Sequence, residues 1–178
     1  MTATIRNILY VLALAGAFFL FSGVGCRVSY SLSGASIHAD AKTVSIPYFP
    51  NSSSYVIPTL SASFTDALQN KFSNQTRLEL VNEEGDLAFT GDIIGTTFTP
   101  TAVTADTEFP AAMMRMTITV RVSFENRLQP EFSFKDRTFS HYEDFPSDQT
   151  PQSAEGDLLP TIIQMLVDDI YQAAVANW

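Results

Sequence analysis

Arg115, Arg121 and Arg127 recur every six residues, an even spacing that puts all three side chains on one face of an extended chain. At about 3.3 Å per residue, successive members stand about 20 Å apart. Lys135 and Arg137 follow in the next segment. On a neighbouring strand they would complete a basic strip suited to the phosphates or carboxylates of an amphiphile. The plainer alternative is cross-strand pairing of these cations with Glu125, Glu131 and Asp136.

The other reactive side chains do not assemble into a recognisable catalytic or metal-binding pattern. There is no Gly-rich phosphate loop, HExxH or GxSxG, and His38 and His141, expected in a loop or at a strand end, lack ligand-spaced partners. Asp168 and Asp169 read as the solvated side of a helix, and Glu143, Asp144 and Asp148 as a polar loop. The triplets Asn51-Ser52-Ser53 and Asn74-Gln75-Thr76 fit the glycosylation acceptor pattern by chance. The chain is therefore expected to be no enzyme, with neither metal nor cofactor.

Cys26, the only cysteine, excludes an internal disulfide and the usual zinc spacings. Ahead of it, Met1 to Asn7 carries Arg6 and no acid. Ile8 to Phe21 is an uncharged apolar run, shorter than the roughly 20 residues that span a bilayer. This is a signal-peptide pattern, and Ser22-Gly23-Val24-Gly25-Cys26 resembles a bacterial lipoprotein box, with Gly23 where a larger aliphatic residue is usual. Residues 1–25 are expected to be removed. Acyl chains on Cys26 would then anchor a single periplasmic domain, residues 26–178. Two or more chains hold firmly where one binds only marginally.

Of the 178 residues, 46% are hydrophobic and 14 are Phe, enough for a packed core. A formal charge of −9 argues against nucleic acid as a partner, because a binder of polyanions needs a positive surface.

The elements that must position these groups follow from periodicity. Arg27 to Gly34 alternates like a short strand. Thr43 to Phe49 puts Val44, Ile46 and Tyr48 on one face and reads as an edge strand, or one ending at Pro47. Leu60, Phe64, Ala67, Leu68 and Phe72 make a helical stripe, with Pro58 in the first turn and a stop near Asn74. Arg77 to Val81 is a short strand. Leu87 to Phe98 is a long one that Gly91 and Gly95 allow to bulge, and Thr99 to Ala112 is a projecting hairpin loop.

From Met114 to Phe124 alternate residues are apolar, and Met113, Met114 and Met116 read as core. In Glu131 to Tyr142, Phe132 and Phe134 differ in parity from Phe139, which a bulge near Lys135 to Arg137 would reconcile. Phe145 to Thr150 reads as a loop. A second helix from Leu158, with Leu159, Ile162, Ile163, Leu166, Val167, Ile170, Tyr171 and Ala174 on one face, is expected to be capped by Asp157, which keeps Pro160 in its first turn; a cap at Ser153 would place Pro160 deeper and predict a kink. The order β-α-β-β-β-α predicts an α+β two-layer sandwich, a mostly antiparallel sheet of four to five strands packed on two helices.

Several short pieces, in this order, resemble the LptE family of lipopolysaccharide-assembly lipoproteins, especially its Bacteroidetes-type members. They are Cys26 with Tyr30 to Ile37, Lys42-Thr43-Val44 with Tyr48 to Asn51, Phe64 to Leu68, Thr76-Arg77-Leu78, Gly85-Asp86-Leu87 leading to Gly91, Thr117 to Val120, and Val175 to Trp178. The resemblance implies a non-catalytic lipoprotein on the periplasmic face of a Gram-negative outer membrane. Such a protein plugs the LptD β-barrel and assists lipopolysaccharide transport. It also implies lipopolysaccharide contact through basic residues, for which Arg115, Arg121, Arg127, Lys135 and Arg137 are the candidates. The competing reading is a free periplasmic lipoprotein that holds a lipid or other hydrophobic ligand between sheet and helices.

Overall fold

A computed structural model describes residues 37–101 and 112–175. The chain divides into two units, Met1–Leu32 and Ser33–Trp178, and every described residue belongs to the second. Cys26, the segment Arg27 to Gly34 and the tip of the Thr99 to Ala112 loop thus lie outside the described residues.

Five strands form one sheet in the order β2-β1-β3-β4-β5: β1 Thr43–Ser45, β2 Glu79–Val81, β3 Leu87–Thr101, β4 Met113–Asn126 and β5 Phe134–Pro146. β1 pairs in parallel with β2 and with the start of β3, while the long β3-β4 and β4-β5 ladders are antiparallel. With the helices α1 (Leu60–Gln75) and α2 (Pro151–Val175), the order is the expected β-α-β-β-β-α.

β1 is an interior strand, not an edge. It stops before Pro47, beyond which the expected alternation fails: Tyr48 is 61% exposed and Phe49 fully buried. Contacts with α1 make that choice. The Phe49 N–H donates to Thr65 Oγ1 at 3.1 Å, and its ring meets Phe64 edge-on with centroids 5.3 Å apart.

β3 and β4 pair from Leu87↔Asn126 to Thr101↔Met113, with a bulge between Ile93 and Gly95. β3 takes up the first three residues of the expected loop, Thr99 to Thr101, and β4 begins just after its last, at Met113. β4 buries Met116, Ile118, Val120, Val122 and Phe124, and half-buries Met113 and Met114, so the methionines serve the core or its margin. On β5 the register shifts between Phe134 and Arg137. Asp136 takes up the extra residue with a φ of 51°, and its N–H donates to Ser123 Oγ at 2.9 Å. Phe132 leaves the strand for a 3₁₀ turn, Pro130–Phe132. β5 then runs through Phe145, where a loop was expected, because Phe145 is buried against Phe98.

α1 buries the expected Leu60, Phe64, Leu68 and Phe72, but Pro58 precedes the helix. α2 starts at Pro151, seven residues before Leu158, the first helical residue expected after an Asp157 cap. Thr150 and Pro151 already hold a cap-and-proline signature: Thr150 Oγ1 accepts the Ser153 N–H at 3.3 Å, and proline suits a first turn whose N–H groups have no helical partner. Pro160 is therefore internal and removes one helical hydrogen bond. Tertiary contacts hold the extra turns in place. Tyr55 Oη donates to Glu155 at 2.8 Å and accepts from Gln152 at 2.8 Å, and Ala154 is buried.

One core fills the space between the layers. Phe72 packs on Phe89 and Tyr171, and Phe89 on its cross-strand partner Phe124, at centroid distances of 4.9, 5.1 and 4.8 Å.

Candidate functional site

The β3-β4-β5 face opposite the core bears polar rows built by register. Thr99, Arg115 and Asp144 lie side by side, as do Thr97, Thr117 and Tyr142; then Gly95, Thr119 and Ser140; then Asp92, Arg121 and Thr138. The period-2 alternation of β4 puts its arginines here, because the other parity is needed for the core.

Both strand arginines are neutralised in place. Arg115 binds Asp144 through two nitrogens, at 2.7 and 2.9 Å, and its guanidinium carbon stands 3.6 Å from the centre of the Tyr142 ring. The Arg115 bonds hold Asp144 below the usual carboxylate range, and the same contact raises the arginine. Arg121 is held by both oxygens of Asp92 at 3.0 to 3.1 Å. Cross-strand pairing is thus what these two cations do, but with Asp92 and Asp144 rather than the expected Glu125, Glu131 and Asp136.

Arg127 lies just past the end of β4, and Lys135 lines an open cleft of about 410 Å³ with Thr90, Ser123, Glu125 and Phe134. Neither makes an ion pair among the described residues. Arg137 does not join the strip. It is opposite Val122, whose side chain is core-facing, so it emerges on the helix side, over the rings of Phe134 and Phe139 at 5.6 and 5.1 Å.

Three further expectations change. Glu143 and Asp144 belong to β5 rather than a loop. His141 is mid-strand, with Nε2 2.7 Å from Asp169 Oδ2, so neither residue is simply solvated. Asp168 takes Lys71 at 2.6 Å and Gln164 at 2.9 Å. Burial opposes its charge, but these two bonds prevail and lower its pKa. Sequence reading missed Asp92, Tyr142 and the His141–Asp169 pair, because each partner is chosen by strand register or by docking of α2. Alternation within β5 was the one available sign that Tyr142 and Asp144 share a face.

Among the described residues no group of three or more His, Cys, Asp or Glu side chains is placed to hold a metal, and no helix is long and apolar enough to cross a membrane. Paired charges and hydroxyls on a sheet face can bind and position, but they include no activated nucleophile. This is a two-layer α+β domain with one polar sheet face that no other described element covers.

The chain belongs to the LptE family, described as lipopolysaccharide-assembly, which it matches over residues 41–174. It is accordingly a non-enzymatic lipopolysaccharide-assembly lipoprotein. No curated protein sequence matches it.

Among solved structures it is similar to the PelC dodecamer from Paraburkholderia phytofirmans, at 10% identity over 80% of this chain and 95% of that one, with a TM-score of 0.47. It is also similar to a minor lipoprotein from Acinetobacter baumannii, at 15% identity over 75% and 90% with a TM-score of 0.44. A third is the uncharacterized lipoprotein B from Nitrosomonas europaea, at 11% over 78% and 90% with a TM-score of 0.42.

Proposed function

We propose that this lipoprotein is anchored through acyl chains on Cys26 to the periplasmic face of the outer membrane, where it plugs an LptD-like β-barrel and assists delivery of lipopolysaccharide. The reading rests on family membership, and the observation that carries it is the polar face of β3, β4 and β5, which no other described element covers. A barrel lumen is wet and polar, so an occupant needs a surface that keeps its hydrogen bonds to water and brings in no unpaired charge. Rows of Thr and Ser, with Arg115 and Arg121 already matched to Asp144 and Asp92, meet that requirement. The connection between β3 and β4, residues 102–112, would reach into the lumen.

Direct lipopolysaccharide contact would fall first to Arg127 and Lys135, whose charges no carboxylate neutralises among the described residues. Arg115 and Arg121 would have to exchange an aspartate for a phosphate, and Arg137 would act from the other side of the sheet. The competing cargo reading needs space between the layers, and Phe49, Phe64, Phe72, Phe89 and Phe124 occupy it.

The test is affinity purification of the full-length protein from mildly solubilised membranes, with mass analysis of its partners and of Cys26. A large β-barrel in near-equal amount is the expected result. An acylated protein running alone would move the assignment to a free lipoprotein, and an unmodified Cys26 would remove the anchor.

A further inference from the structure

The sheet ends on one side at β5, a strand of 13 residues, whereas the opposite edge, β2, has only three. The Ser147 N–H donates to Ala112 O at 3.0 Å, directly opposite. Continuing that register, the odd residues from Arg137 to Phe145 exchange backbone bonds with β4, and Thr138, Ser140, Tyr142 and Asp144 turn theirs to the free side. Pro146 agrees, since it falls at a position whose missing N–H would point outward. Two of the usual guards against edge pairing bracket the strand: the bulge at Asp136 and this proline. Between them, Arg137 to Glu143 has no further strand beside it among the described residues.

That window is self-complementary. We propose that β5 pairs antiparallel with β5 of a second copy of this chain, about a two-fold axis at Ser140. Thr138 then exchanges hydrogen bonds with Tyr142 of the other copy, and Ser140 with Ser140. Arg137 faces the other copy's Glu143 in a close, non-hydrogen-bonded pair, twice by symmetry. Both residues lie on the helix side of the sheet, because their β4 partners, Val122 and Met116, are buried. Neither has an ion-pair partner among the described residues, and Arg137 lines an open groove between β5 and α2 with Asp169 and Gln172.

A seven-residue pairing is smaller than a standard interface, so the contact is a weak one of the free protein, favoured when an anchor confines both copies to one membrane surface. It is independent of barrel plugging.

The experiment uses full-length protein in mild detergent carrying S140C, oxidised gently, with the linked peptide identified by mass. A hydrogen-bonded antiparallel pair holds its Cα atoms about 5.5 Å apart, within disulfide range. The control is T90C, exposed on the same sheet but away from the edge. S140C is expected to link to itself at least about tenfold more than T90C. R137E or E143R added to S140C should each abolish that excess, since like charges then face each other. Mixing the two charge variants should restore it as a mixed dimer, which also shows that both remain folded. Linkage of S140C no greater than T90C, linkage to a different protein, insensitivity to the single charge changes, or failure of the mixture would each overturn the proposal.

Discussion

Thr43 and Asp86 hold each other reciprocally across 43 residues of sequence: Thr43 Oγ1 donates to Asp86 Oδ2 at 2.9 Å and accepts the Asp86 N–H at 2.9 Å. The same carboxylate oxygen takes the backbone N–H groups of Lys42 at 2.8 Å and Thr43 at 3.0 Å. This clip fastens β1 to the turn that opens β3, and the Asp86 carbonyl accepts the Arg127 N–H at 3.0 Å from the end of β4. Three segments far apart in sequence therefore meet at one residue, two through its side chain and amide and the third through its carbonyl.

The Lys42 N–H, then the Thr43 hydroxyl and N–H, lower the pKa of Asp86. A carboxylate whose folded pKa is depressed adds stability that is fully present above its unfolded pKa, about 3.9, and lost as pH falls through the folded value. D86A should therefore cost about 1–2 kcal/mol at pH 7, given that the group is partly exposed. The gap between D86A and the parent should narrow below about pH 4. Urea unfolding at pH 7, 5 and 3 checks the sign; a pH-independent gap would refute the charge-based account.

Two glycines should respond to alanine with opposite signs. A Cβ at Gly91 would stand 2.2 Å from the Arg121 carbonyl oxygen and 2.7 Å from Phe49 Cε1, whereas one at Gly156 meets nothing within 4 Å. G91A should destabilise by about 2–3 kcal/mol through overpacking that backbone cannot relieve. G156A should stabilise by about 0.5–1 kcal/mol, since alanine loses less backbone entropy inside a helix. Thermal melts of both variants beside the parent measure the two directions.

Phe72 touches both Phe89 of the sheet and Tyr171 of α2. F72A should cost about 3–5 kcal/mol by opening a cavity between the layers. Denaturant midpoints test this, and a loss under about 1 kcal/mol would mean that the two layers close over the gap.

R115E with R121E separates two roles of the open face. Each change places a carboxylate beside an existing aspartate, Asp144 or Asp92. If this face seats the protein in a barrel, co-purification of the barrel should fall severalfold while the fold, read by circular dichroism, persists. Loss of lipopolysaccharide binding with the barrel retained would assign the arginines to the lipid instead, and no change in either would leave them as cross-strand pairs alone.

Much of the architecture was legible because burial has a period. The 3.6-residue stripe of α1 and the strict alternation of β4 each state which side must leave water, and both hold in the structure. Even the bulge in β5 was visible, from the conflicting parity of Phe134 and Phe139. The start of α2 was missed although Thr150-Pro151 is a good signal, because Pro160 suggested a shorter helix and the bonds from Tyr55 come from a distant loop.

The amino-acid sequence by itself therefore determined the element order, the core faces of α1 and β4 and the family, all of which depend on local periodicity and on short ordered pieces. Which charged side chains meet was decided only by tertiary structure. Before the β5 bulge, paired positions on β4 and β5 sum to one less than after it, as Phe124↔Phe134 and Val122↔Arg137 show. Without that extra residue, Arg121 would face Arg137 and Arg115 would face Glu143. With it, Arg121 lies beside Thr138, Arg115 grips Asp144, and Arg137 turns to the helix side. A side-chain period of two makes a one-residue shift exchange the faces, so charge pairing across strands follows from register, which periodicity along one strand does not contain.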